Sequence, residues 1–123
     1  MLAWFRRVKY NEFDEIGNFK KRLFENMLAE ARQKDVKTMV FLTPMHAEMV
    51  ELTKRSVPFD EWRDYVRETC EKYDAMFFDL SDARELSYIP QWAFVDNAHL
   101  SSAAAALFSR KLGEMFKTGS IVK

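Results

Sequence analysis

Apolar residues at Phe13, Ile16, Phe19, Leu23, Met27 and Ala31 recur every three to four positions, the period of one helix face. Lys20, Lys21, Arg22, Glu25 and Glu30 fall on the other side. The pattern predicts an amphipathic helix over residues 12–34 whose apolar set faces a core. The period then changes. Residues 36–42 read Val-Lys-Thr-Met-Val-Phe-Leu, short, apolar and partly β-branched, and stop at Thr43-Pro44; this predicts a buried strand. A short helix follows over 45–54. Ser56-Val57-Pro58 restarts a helix over 58–73, with Pro58 in its first turn and Asp60 and Glu61 near the positive end of its dipole. Phe59, Trp62, Val66, Cys70 and Tyr73 mark the buried face of that helix.

Residues 75–80, Ala-Met-Phe-Phe-Asp-Leu, read as a second strand, and Ser81-Asp82 as the cap of a short turn. Residues 87–99 form a loop containing Pro90, Trp92 and Phe94. Ser101 or Ser102 then caps a last helix over 101–117, which buries Ala104, Leu107, Phe108, Leu112, Met115 and Phe116 and stops at Gly119. Helix, strand, helix, strand, helix implies a single α/β domain over residues 1–123 with parallel strands. Two strands are few for a parallel sheet, which is normally covered on both faces. Residues 1–10 add a strand, another chain adds one, or the N-terminal part of the fold is missing.

Composition narrows the picture. The 123 residues are 48% hydrophobic and 31% charged, which is globular rather than disordered. Lys plus Arg and Asp plus Glu each number 19; without a basic surplus, nucleic acid is not an expected partner. The lone Cys70 excludes an intramolecular disulfide and a cysteine-rich zinc site. No apolar run is long enough to span a bilayer. The start, Met1-Leu2-Ala3-Trp4-Phe5-Arg6-Arg7, puts its charges after its apolar residues, unlike a secretory signal. As written, the chain is expected to be cytoplasmic.

Candidate chemistry concentrates at Asp96-Asn97-Ala98-His99-Leu100. An acid three residues before a histidine, in a loop ahead of a helix, can turn its carboxylate onto the imidazole, fix its tautomer and stabilise the imidazolium. On residue type alone, a lone histidine before a helix is more often a capping residue. His46 follows a strand-end proline, where pockets open in α/β sheets; it reads as a first-turn histidine, with a substrate-side role as the alternative. Trp92 and Phe94 either line an acyl or glycan pocket or bury their own loop. Asp79, Asp82, Ser101 and Ser102 read as caps, and Cys70 as inert core. No cofactor and no metal site are expected.

Four pieces together carry a family resemblance: the helix running into 36–42, the strand end Thr43-Pro44-Met45-His46, the strand Phe77-Phe78-Asp79-Leu80, and Asp96-x-x-His99-Leu100 before the last helix. From Lys20 to Phe116 the chain resembles the C-terminal half of an SGNH (GDSL-type) hydrolase, and more narrowly the acyl-transfer relatives that modify cell-envelope polymers, such as teichoic-acid D-alanylation proteins. The resemblance implies a flavodoxin-like, doubly wound parallel sheet with flanking helices, its N-terminal strands missing. It implies His99 as general base, Asp96 as its orienting acid, an acyl-ester or glycan substrate, and a cell-envelope location for a longer family member. The family's Gly-Asp-Ser nucleophile block and its Gly-x-Asn-Asp block have no counterpart here. The resemblance therefore implies an ester hydrolase or acyltransferase part whose serine lies elsewhere, inactive alone. The rival reading is a non-catalytic α/β module that self-associates, or takes up a second polypeptide, through an exposed sheet edge near residues 36–42.

Overall fold

The computed structural model of the chain describes residues 17–56, 58–96 and 98–123. The strand anticipated within residues 1–10, and Phe13 and Ile16 of the first helix face, lie outside the described residues. Among the described residues are four α-helices, α1 (Gly17–Gln33), α2 (Ala47–Ser56), α3 (Phe59–Lys72) and α4 (Ser102–Thr118), and two strands, β1 (Met39–Leu42) and β2 (Met76–Asp79). The strands pair as a two-stranded parallel sheet, so the α/β class expected from the sequence holds. Short 3-10 turns occupy Ala83–Glu85 and Gln91–Ala93.

Both strands start later than their apolar runs, and a helix cap contributes to each. Each is fed by a helix that ends on an aspartate in the left-handed region, Asp35 at φ 55° and Asp74 at φ 56°. After α1, the Asp35 amide donates to Arg32 O at 3.0 Å and the Val36 amide to Ala31 O at 2.8 Å. After α3, the Asp74 amide donates to Glu71 O at 3.3 Å and the Ala75 amide to Cys70 O at 2.8 Å. This paired pattern is the Schellman cap. It ties the amides of Val36 and Ala75 to helix carbonyls, so neither residue belongs to a strand. Val36 is exposed. The strands are also less enclosed than anticipated: Leu42 and Phe78 are buried, and their other residues are half-buried.

Among the described residues the chain forms two compact units, one of residues 17–40 with 52–77, the other of 41–51 with 78–123. In the first, Leu28 of α1 and Val66 and Cys70 of α3 form the buried centre, with Phe24, Val40, Trp62 and Phe77 packed against it. Of the face expected for α3, Val66 and Cys70 are buried, Trp62 and Tyr73 pack beside them half-buried, and Phe59 is half-buried outside this cluster. The face expected for α1 is not met. Phe19, Leu23 and Met27 are 55%, 53% and 58% exposed, whereas Leu28 is 1% exposed. The helix carries two apolar stripes, and α3 packs on the one through Phe24 and Leu28. Thr69, also buried, donates its hydroxyl to Tyr65 O at 2.7 Å, which satisfies a polar group inside the helix contact.

In the second unit the core includes Leu42, Val50, Phe78, Leu80, Ile89, Phe108 and Met115. Phe41 meets Phe108 edge-on at 5.9 Å. The caps of α4 are those expected: Ser101 Oγ accepts from the Ala104 amide at 3.3 Å, and Gly119 closes the helix at φ 70°. Beyond Gly119 the tail returns, and Lys123 O accepts from both the amide and the hydroxyl of Ser87.

Candidate active site

The second unit gathers the segments that follow the two strands. Past β1, Met45 forms a parallel bridge with Asp82, its amide donating to Ser81 O at 2.8 Å. His46 then starts α2. Its backbone carbonyl accepts from Met49 and Val50, and its Nδ1 accepts from the Glu48 amide at 3.2 Å, so the imidazole is the N-terminal cap. A ring nitrogen that accepts has no proton, so neutral His46 carries its hydrogen on Nε2. α2 begins at Ala47, two residues later than the sequence pattern suggested, because Met45 is held by its bridge and His46 is the cap.

Past β2, Asp79 Oδ1 accepts from the Ser81 hydroxyl at 2.6 Å and from its amide at 3.1 Å. Asp82 Oδ1 accepts from the Arg84 amide at 3.0 Å, capping the 3-10 turn. Asp82 is the cap its position suggested, whereas Asp79 closes a turn onto Ser81. Arg84 bridges the carboxylates of Asp82 and Glu51 at 2.8 and 3.2 Å.

The loop from Pro90 to Leu100 is closed by backbone bonds. Phe94 and Leu100 form an antiparallel bridge, the Val95 amide donates to His99 O at 2.9 Å, and the Ser101 amide to Ala93 O at 2.7 Å. Within that closure the Asp96 carboxylate is the organising group. Oδ1 accepts from the amides of Ala98 and His99, both at 2.8 Å, an aspartate turn of the kind short acidic side chains make. The same carboxylate reaches His99 Nδ1, at 2.7 Å from Oδ2 and 2.9 Å from Oδ1. The contact that the Asp-x-x-His spacing anticipates is present. The Ala98 amide first, then the His99 side chain, lowers the Asp96 pKa below its ordinary 3.8. Asp96 is thus an anion near neutrality and accepts only. The proton between them belongs to His99 Nδ1, and the lone pair of the neutral ring lies on Nε2. The side chain of His99 is 75% exposed, so that nitrogen opens to solvent.

Of the pocket candidates, His46 and Phe94 come together, ring to ring at 5.7 Å and nearly perpendicular. Trp92 does not join them; it is 84% exposed. Gln91, which no pattern singled out, fixes the loop: its Oε1 accepts from the Ala47 amide at 3.0 Å. A glutamine after a proline carries no distinctive signal for this role, although a helix start at Ala47 needs acceptors for its first amides. Of the serines in this unit, Ser81 bonds Asp79 and Ser101 caps its helix. Among the described residues no group of three or more His, Cys, Asp or Glu is placed to hold a metal ion, and no helix is long and apolar enough to cross a membrane.

Comparison with family profiles, curated proteins and solved structures finds no match for the chain.

Proposed function

We propose that this chain is the His- and Asp-bearing part of an SGNH-type ester hydrolase or acyltransferase, completed by a polypeptide segment that brings a serine. The observation that supports this reading is the Asp96 carboxylate on His99 Nδ1, with Nε2 left as the acceptor. In the proposed reaction the incoming serine hydroxyl gives its proton to His99 Nε2 as its oxygen attacks the ester carbonyl. Asp96 stabilises the imidazolium. The leaving alcohol takes the proton, and the acyl group remains on serine until water or an acceptor hydroxyl removes it. The substrate is an acyl ester, with a glycan as carrier or acceptor, and Phe94 and His46 line its approach. In this reading the two strands belong to a flavodoxin-like sheet whose earlier strands come with the serine. An extracytoplasmic, cell-envelope setting follows for the completed enzyme.

The test starts upstream of Met1, where an in-frame Gly-Asp-Ser block is expected. The joined protein should hydrolyse short p-nitrophenyl esters, with kcat/KM falling by about a thousandfold or more in His99→Ala. The isolated chain should be no faster than free imidazole, since it lacks the serine and the oxyanion donors. Absence of the block, or turnover indifferent to His99→Ala, refutes the proposal. The second reading, an assembly module, draws on the sheet's having two strands among the described residues, which leaves edges that favour association. It expects a dimer or a hetero-complex by sedimentation, with residues 36–42 at the contact; a cooperative monomer refutes it.

A further inference from the structure

The largest run of exposed apolar side chains on any described helix is on α1, where Phe19, Leu23 and Met27 stand four residues apart. They form one stripe, because residues four apart share a helix face. The stripe is separate from the packed face, which Leu28 and Phe24 occupy against α3. Lys20 and Arg22, both exposed, flank the stripe, while Glu25, the acid within its span, turns to the packed side beside Tyr65. Lys21 also turns toward the packed side, with its Nζ 4.6 Å from the Tyr65 ring. The nearest acid in line with the stripe, Glu30, is paired with Lys34 at 2.7 Å. An apolar stripe one helix wide, with cations along its edges, is the pattern of a helix that lies in a membrane interface: the apolar side chains enter the acyl boundary while the long basic stems reach the lipid phosphates. No described helix can cross a bilayer, so such an association is peripheral.

We propose that the face of α1 formed by Phe19, Leu23 and Met27, with Lys20 and Arg22, docks on an anionic lipid surface. This does not depend on the acyl-transfer reading. The full chain is mixed with sedimentable vesicles of phosphatidylserine in phosphatidylcholine, and with vesicles of phosphatidylcholine alone. Binding is expected to the first and to be at least tenfold weaker to the second. Lys20→Gln with Arg22→Gln should weaken it by about thirtyfold, at about fivefold per basic residue near an anionic surface. Leu23→Asp should abolish it. All these positions are exposed, and circular dichroism melts check that each variant folds; if Leu23→Asp fails to fold, the paired charge variant decides. A folded wild type that ignores phosphatidylserine vesicles, or binding unchanged in the charge variant, overturns the proposal. So does a dimer that Leu23→Asp dissociates in the absence of vesicles, which assigns the stripe to a second copy instead.

Discussion

Replacing Asp35 and Asp74 by glycine should stabilise this protein, although aspartate is the residue each helix end uses. Both sit in the left-handed region, which costs an L-residue about 1–2 kcal/mol, with aspartate at the low end because its short polar side chain tolerates the conformation. Each also places a carboxylate at the negative end of a helix dipole, a further cost of about 0.3–1 kcal/mol. Glycine removes both penalties but loses about 0.5–1 kcal/mol more backbone entropy on folding. The net expectation is a gain of about 1 kcal/mol per site, or about 4 °C in Tm for a chain of this size. α4 supplies the internal comparison, because it ends on Gly119 at φ 70°; Gly119→Ala should lose about 1 kcal/mol. Thermal and urea melts of Asp35→Gly, Asp74→Gly, the double variant and Gly119→Ala measure all of this, with the double variant near the sum of the singles. Asp→Asn at either site should recover only the charge part. A Tm that stays level or falls in both glycine variants would refute the reasoning, since it would mean that the aspartate side chains make native interactions larger than the strain.

Asp96→Asn should move the proton of neutral His99 from Nδ1 to Nε2, because an amide NH2 in place of the carboxylate oxygen donates rather than accepts; long-range nitrogen–proton NMR reads the tautomer directly, and an unchanged Nδ1–H signal would contradict the assignment. Because the folded pKa of Asp96 is lowered from 3.8, its contribution to stability is full above that value and is lost as pH falls through the lower folded value; amide exchange at Ala98 and His99 should therefore accelerate below about pH 4, relative to intrinsic rates, before the rest of the chain opens. Ser101→Ala should cost about 1 kcal/mol through the lost cap of α4, and Ser101→Asp should be close to neutral, both read from melts. Cys70 is fully buried and its thiol pKa is pushed up to about 11 by that burial, so Ellman's reagent should label it at neutral pH only at the rate of unfolding.

Much of the architecture is legible in the chain because pattern and packing agree. Val66 and Cys70 are buried on α3, and Ser101 and Gly119 bound α4, as spacing and capping chemistry predict. Where pattern and structure differ, the causes are local. On α1 the apolar residues occupy more than one stripe, and periodicity alone cannot say which stripe meets α3; the answer lies in Leu28 and Phe24, which the simple series through Phe19, Leu23 and Met27 passes over. The strands start later than their apolar runs in part because a left-handed aspartate looks like any polar residue in sequence, while its cap removes the next amide from the sheet. At the site, a local motif was readable and a distant one was not. Asp96 and His99 are three residues apart and their contact follows from the turn, whereas the bond from the Ala47 amide to Gln91 joins positions 44 apart.

The two histidines of the chain are held in opposite states, and the way this arises bears on what the loop can do. A backbone amide fixes His46 with its proton on Nε2, and a carboxylate fixes His99 with its proton on Nδ1. One ring therefore offers a donor at Nε2 and the other an acceptor at the same atom. They are linked through one short structure: the His46 ring lies against Phe94, and Phe94 pairs with Leu100, the residue after His99. Neither state requires the protein to move, since helix α2 sets the first and the Asp96 turn sets the second. Acyl transfer needs a group that removes a hydroxyl proton and benefits from one that donates to a substrate oxygen. Asp96 adds a constraint of its own. The carboxylate that orients His99 also holds the amides of Ala98 and His99, so replacing it should disturb the loop backbone as well as the imidazole. Asp96→Asn keeps an oxygen for those amides and changes the partner of Nδ1. It is therefore the substitution that separates the turn from the Asp96–His99 contact, and under the proposed acyl transfer its effect should fall on kcat rather than on folding.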